Sequence, residues 1–385
     1  MHNKKHQKRQ ARKKTVLLAI LTIFLGLGVT TSWYLLLLSD TIKPVADQEP
    51  ATVVNLTASE KKAATEMDQL LKKSKYIGTI YVRKNNRIIL EKTYGYADKE
   101  TNQPNSLSLD YQIGSIQKAM TALLILKQIE QKKISFTTPL ATFYPQIPGS
   151  QSITIHDLLT MRSGLHKTEQ PSVPLTDRDI VQFTVEHLKW TDYQTYHYEP
   201  LNFTLLAGIL MQLTNKSYEE LLSDSLIKPL QLQHTDFYEN VKNSPQHAKS
   251  YQMSADDDYW KELDENETAI HNELGTGNIS MNTYDLAAFF TKVLSGQLIP
   301  KKLLFSLWQN NQLKHPYSGG VYSGADYILA QGNINRFHSV VAMTKDTKNA
   351  IVMQSNIQSD TKIKPGAVAI RNQLYEILTG KKLPS

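Results

Sequence analysis

The chain has 385 residues and no cysteine, which excludes a disulfide framework, thiol chemistry and cysteine-ligated metal. Its histidines show no His-x-x-x-His or His-Glu-x-x-His spacing, so a zinc-hydrolase site has no support and neither metal nor cofactor is expected. Most of them read as surface or capping residues; His197, inside a tyrosine-rich loop, is the exception. No internal repeat is visible. Net charge is also missing from most of the chain. Lys and Arg exceed Asp and Glu by 43 to 36, a net +7, and the first fourteen residues carry seven cations and no acid. The remainder is formally neutral, so the basic composition belongs to a tail and gives no reason to expect nucleic-acid binding by the body.

Charge is wholly absent from Thr15 to Leu38. As a helix, this stretch would measure about 36 Å, enough to cross a hydrocarbon layer of roughly 30 Å. The basic block before it and Trp33-Tyr34 near its far end favour a single transmembrane anchor, with residues 1–14 cytoplasmic and the rest outside, over a cleaved signal peptide, whose apolar region is usually shorter and whose small-x-small site is missing. Residues 39–57, with Pro44 and Pro50, read as a tether with a coil span of roughly 25 Å. A body of residues 58–381 follows.

The body begins with an amphipathic charged helix over 59–74. The runs Gly78 to Val82 and Arg87 to Leu90 flank Lys84-Asn85-Asn86, a hairpin signal. Helical patterns dominate from Ser115 to about 235, including an N-cap at Thr154 with Asp157 three residues on. Strand signals return after 320, in Val321 to Leu329, Phe337 to Thr344 and Ala350 to Gln354, and a terminal helix is expected over 364–379. Strands at both ends of the body imply an α+β fold: an antiparallel sheet built from both ends and flanked by helices, a helical lobe over about 121–290, and a cleft between them. The acidic run Asp256-Asp257-Asp258, with Glu262, Asp264 and Glu265, reads as a solvated insertion.

Ser-x-x-Lys occurs four times, at Ser59, Ser115, Ser225 and Ser359. At Ser115 the motif follows Gly114 and opens the run Ala119 to Leu126, a helix apolar almost all round and therefore buried. A buried helix whose first turn carries a hydroxyl and an amine makes sense where that turn faces a cleft. The other three matches lie in charged or polar surroundings. A serine needs a base to become nucleophilic; Lys118 is one turn away, and Tyr198, in a loop before the apolar run Leu205 to Leu210, is a second candidate. Ala330-Gln331-Gly332-Asn333, near a strand edge, offers close backbone approach at its glycine, so amides of Ser115 and Asn333 could form an oxyanion hole.

In this order the segments resemble the serine hydrolases of the penicillin-binding-protein and class C β-lactamase superfamily, over roughly residues 76–380. Gly95-Tyr96-Ala97-Asp98, Gly114 to Lys118, Asp157 to Leu165 with its Leu-Leu-x-x-x-Ser-Gly-Leu, Lys228-Pro229-Leu230 and Asn282 to Leu286 carry the resemblance. It implies Ser115 as the acylated nucleophile, Lys118 as the group lowering its proton affinity and Tyr198 as shared base and acid. Two positions depart from the pattern. Pro200 stands where the family's Tyr-x-Asn ends in an amide, with Asn202 two residues on as a substitute. Ala330 stands at the cationic or imidazole position of the Lys-Thr-Gly strand, and Arg336 is a nearby cation where the family often has glycine.

The resulting expectation is a membrane-tethered extracytoplasmic serine hydrolase acting on acyl esters or D-alanyl groups of the envelope, similar to teichoic-acid D-alanyl esterases. Its partner would be a teichoic acid or a peptidoglycan stem peptide. The rivals are a D,D-carboxypeptidase or β-lactamase and, in another class, a non-catalytic envelope-binding or sensor module.

Overall fold

Thr57 opens the body by capping the helix α1 (Ala58–Lys73): its Oγ1 accepts from Glu60 N–H at 3.3 Å, and Glu60 Oε2 accepts from Thr57 N–H at 2.8 Å. The computed structural model describes residues 56–254, 258–309, 316–358 and 366–384. The basic tail, the expected anchor at 15–38 and all but the end of the tether lie outside these residues. Among the described residues no helix is long and apolar enough to cross a membrane.

After α1 come strands β1 (Gly78–Lys84) and β2 (Arg87–Tyr94). They turn at Asn85-Asn86, both at positive φ (50° and 64°), the backbone that suits a two-residue hairpin between twisted strands. The central part supplies α2 (Gln117–Glu130), α3 (Leu201–Thr214) and α4 (Thr283–Ser295). The chain then forms β3 (Tyr317–Ser318), β4 (Val321–Ser323), β5 (Tyr327–Ile334), β6 (Phe337–Thr344) and β7 (Ala350–Ser355), and ends in α5 (Ala367–Thr379). One seven-stranded sheet runs in the order β3-β4-β5-β6-β7-β1-β2, all neighbours antiparallel. Its β1–β7 seam, with Val82 opposite Ile351, joins the two ends of the body as the sequence implies.

Strand geometry sends successive side chains to opposite faces. Ile80, Val82, Val340, Ala342, Ile351 and Met353 pack with Met67 of α1 and Leu374 of α5. Tyr81, Val341, Met343, Ala350 and Val352 face the second core, which contains α2, α3 and α4. Both faces are covered, so β6 and β7 read as unbroken apolar runs rather than alternating ones.

The structure corrects the sequence reading at several points. Residues 321–329 are not one strand: the chain turns after Ser323, and Ser323 pairs with Ile328. Strands also occur in the expected helical region. Tyr111–Gln112, Ile279–Met281 and Thr235–Phe237 form one small sheet, and Tyr251–Met253 lies between Tyr259–Glu262 and Ile357–Gln358 in another. Segments of two to four residues are too short for an alternation to show. The acidic stretch is not uniformly solvated either: Glu265 accepts from Gln112 Nε2 at 3.0 Å, and burial raises its carboxyl pKa. Asp256 and Asp257 lie outside the described residues.

Leu374 on α5 is fully buried against the sheet. Leu374→Ala is expected to lower unfolding free energy by about 2–5 kcal/mol, read from urea denaturation; a loss below 0.5 kcal/mol would show that α5 does not close this core.

Candidate active site

Ser115 lies in a single 3₁₀ turn, Gly114–Ile116, that runs directly into α2. The helix is apolar nearly all round because it is enclosed: every residue from Gln117 to Leu126 is buried. Lys118 is among them, with 1% of its surface exposed. An amine in such a place requires hydrogen-bond partners. Its Nζ donates to Ser115 Oγ at 3.0 Å and to the Thr276 carbonyl at 3.1 Å, and lies 5.4 Å from the centre of the Tyr198 ring.

Two glycines allow this enclosure. A Cβ on Gly332 of β5 would stand 1.8 Å from Ile113 O and 2.8 Å from Ser115 N, so only a residue without a side chain lets the strand touch the Ser115 turn. A Cβ on Gly320, between β3 and β4, would stand 2.2 Å from Ala119 N. The first turn of α2 is therefore held by backbone from two sides.

The same contact positions two amides. Ile334 and Phe337 close the tight turn between β5 and β6; in such a hairpin the closing pair exchanges hydrogen bonds and the next pair does not. Asn333, opposite His338, accordingly points its N–H away from β6. Asn333 N lies 3.0 Å from the point a Cβ would occupy on Gly114. Ser115 N–H belongs to the first helical turn, which has no intrahelical acceptor. Both amides thus border one gap beside the hydroxyl.

Ser115, Tyr198, Gln331, Gly332 and Asn333 all line one cleft of about 460 Å³, with Lys118 buried behind Ser115. Size alone does not mark the site: a cavity of about 740 Å³ bordered by Tyr144, Arg178 and Lys216 lies elsewhere and contains none of these groups. Asn202 corrects the sequence expectation. It is 1% exposed and is not part of the cleft wall; its amide accepts from Ser163 Oγ at 2.6 Å and donates to Glu199 O at 2.8 Å. The side chain thereby fastens the Tyr198 loop and has no donor left for substrate in the role suggested for it. His197 packs edge-on against His166, centroids 4.6 Å apart, outside the cleft lining.

The sequence reading missed Tyr317, Gly320, Tyr322, His338 and Val368, which complete the wall. Tyr317 stands edge-on to Tyr198 at 5.5 Å. Burial and the adjacent phenols Tyr198, Tyr196 and Tyr322 hold its proton well above the usual tyrosine range. His338 is pushed down to about 4 by burial, aided by the Arg371 charge, and is neutral near pH 7. The Gly319-Gly320 pair signals a turn, but nothing in the sequence marks its contact with α2. Among the described residues no three His, Asp or Glu side chains are grouped to hold a metal ion.

Gly332→Ala is expected to lower the rate at which a fluorophosphonate labels Ser115 by about 10²-fold, because the added methyl drives β5 away and takes one oxyanion donor with it. Labelling within threefold of wild type, measured by gel fluorescence, would contradict the contact.

Comparison with known proteins places the chain in a family. The family model described as Beta-lactamase matches residues 64–374. A teichoic acid D-alanine hydrolase of Staphylococcus aureus (strain MRSA252) is 25% identical over 336 residues, covering 85% of this chain and 83% of the relative. The crystal structure of FmtA from Staphylococcus aureus superposes with a TM-score of 0.73 at 23% identity, over 87% of this chain and 94% of that one. The D-amino acid amidase of Ochrobactrum anthropi SV3 superposes with a TM-score of 0.69 at 18% identity, over 84% and 97%. At these identities the two structures attest the shared fold, while the family model spans the sheet, α2 and the cleft wall; the chain belongs to the Beta-lactamase family.

Proposed function

We propose that this serine hydrolase cleaves acyl esters of the cell envelope, D-alanyl esters above all, through an acyl-enzyme on Ser115. The observation that carries the reading is the Lys118 Nζ to Ser115 Oγ contact of 3.0 Å at the floor of a cleft that also holds Tyr198. Ser115 Oγ bonds to the ester carbonyl carbon as its proton passes to the Lys118–Tyr198 pair. The carbonyl oxygen, now negative, takes hydrogen bonds from the Ser115 and Asn333 amides. The carbon–oxygen bond to the alcohol then breaks, and Tyr198 returns the proton to the leaving oxygen. A water molecule, giving its proton to the same pair, attacks the acyl carbon and frees Ser115.

What the cleft lacks supports an ester over a peptide ending in a carboxylate. Among the described residues that line it, none is Lys or Arg. Ala330 is fully buried and Arg336 is not part of the wall. A charge-assisted hydrogen bond contributes about 1.5–3 kcal/mol, so a terminal carboxylate forgoes roughly 10- to 100-fold in binding here. Pro200 likewise brings no amide to a peptide bond. The relative named as a teichoic acid D-alanine hydrolase supports the same substrate class. Residues 15–38 are proposed to anchor the protein in the membrane, with the body on the outer side.

The full-length protein in detergent tests this with a fluorophosphonate, a fluorescent penicillin and a short-chain nitrophenyl ester. Serine labelling and ester turnover with little penicillin adduct are expected, all lost in Ser115→Ala. Rapid acylation by penicillin would favour the peptidase, and no labelling would leave a binding module. Lys118→Ala is expected to lower ester turnover at least ~10²-fold; a change under threefold would remove Lys118 from the mechanism.

A further inference from the structure

The Asn333 amide acts on the ester oxygen only if its direction is set before negative charge develops there. Strand pairing alone does not set it. β4 pairs with β5 at Ile328 and Leu329, so from Ala330 onward β5 is paired only with β6 among the described strands. Asn333 is the last residue before the pair that closes the β5–β6 turn, and it is exposed. Gly114 supplies one hold, since Asn333 N and O each lie 3.0 Å from the point a Cβ would take on that glycine.

The Asn333 side chain supplies a second. Its Nδ2 donates to Gln358 Oε1 at 3.2 Å, and Gln358 Nε2 donates back to Asn333 Oδ1 at 3.1 Å. Gln358 Nε2 also donates to the Phe337 carbonyl at 3.1 Å. A primary amide has two N–H donors and one carbonyl oxygen, so both donors and the oxygen of Gln358 are engaged. The third bond fixes the sense of the pair: a carbonyl only accepts, so the nitrogen of Gln358 faces Phe337, and reciprocity then orients Asn333. One side chain thus spans the turn and grips a residue on each of its strands.

Gln358 can serve as a clamp because its own backbone is fastened. The strand Ile357–Gln358 pairs in parallel with Tyr251–Met253, with Gln358 opposite Gln252. Two residues before it, Asn356 is fully buried, and its Nδ2 donates to Lys249 O at 2.8 Å and to Tyr96 O at 3.1 Å. Resting on the acyl-transfer reading, we propose that Gln358 is a positioning residue of the oxyanion hole: its carboxamide holds the Asn333 side chain and, through it, the Asn333 peptide with its N–H toward the acyl oxygen. Gln358 is not part of the cleft lining, so it acts through Asn333 and touches no reacting atom.

The test uses the full-length enzyme in detergent with a short-chain nitrophenyl ester and a fluorophosphonate. Gln358→Met, similar in length but without an amide, is expected to lower kcat about tenfold with KM within twofold of wild type. This is less than the loss of roughly 10²–10³-fold that follows outright removal of a donor, because the peptide N–H remains. Fluorophosphonate labelling is expected to slow by the same factor, since the phosphonyl oxygen enters the same hole. Asn333→Ala cuts the link from its other end and is expected to match these effects, and the double variant is expected to lose no more than either alone, as for residues that act as one unit. A kcat within twofold of wild type in Gln358→Met, a change confined to KM, or losses that multiply in the double variant would overturn the role of Gln358 and leave the acyl transfer standing. Wild type that is neither labelled nor active on the ester would overturn both.

Discussion

The chemistry of this protein depends on burying an amine. Lys118 points into a region where a cation loses most of its hydration, a cost of several kcal/mol unless hydrogen bonds replace the lost water. Two acceptors replace it, a backbone carbonyl at Thr276 and the hydroxyl of Ser115. Using the nucleophile as one of the partners couples stability to reactivity. The arrangement that keeps α2 packed is the one that places the Lys118 amine against the Ser115 hydroxyl. Thr276 belongs to a turn distant in sequence and Tyr198 to the loop before α3, so the pair forms only when the helical region closes on the sheet.

Backbone contact, more than side-chain contact, sets the rest of the geometry. Gly332 and Gly320 bring β5 and the β3–β4 turn to within van der Waals distance of the first turn of α2. That approach shields Lys118 and aligns the Asn333 amide with that of Ser115. It also explains how the site tolerates Ala330: the position that carries a cation or imidazole elsewhere in the family is here packed into the core, and the strand still presents its glycine and the amide after it. Among the described residues, the cleft wall carries phenols and a neutral His338 and neither Lys nor Arg.

Much of this was legible in the sequence because it rests on local rules. Ser115, Lys118, Gly332 and Asn333 could be placed from a motif at the start of an apolar helix and from a glycine on a strand edge. The sheet joining both ends followed from where strand patterns lie. What escaped was non-local. Tyr317, Tyr322 and His338 carry no motif and become wall residues only when β3 to β6 pair. The three-residue strands near Ile279 and Tyr251 are too short to show periodicity. Asn202 was misassigned because its spacing from Tyr198 suggested a substrate amide, whereas α3 starts at Leu201 and turns that side chain inward to Ser163 and Glu199.

The central claim is that Ser115 becomes covalently acylated during turnover. Rapid quenching of the full-length enzyme with D-alanine methyl ester, followed by intact-protein mass spectrometry and peptide mapping, tests it directly. The account predicts a mass increase of one alanyl group, located on Ser115, that decays as ester is exhausted and never forms in Ser115→Ala. Turnover by wild type with no adduct, or with an adduct on another residue, would contradict it.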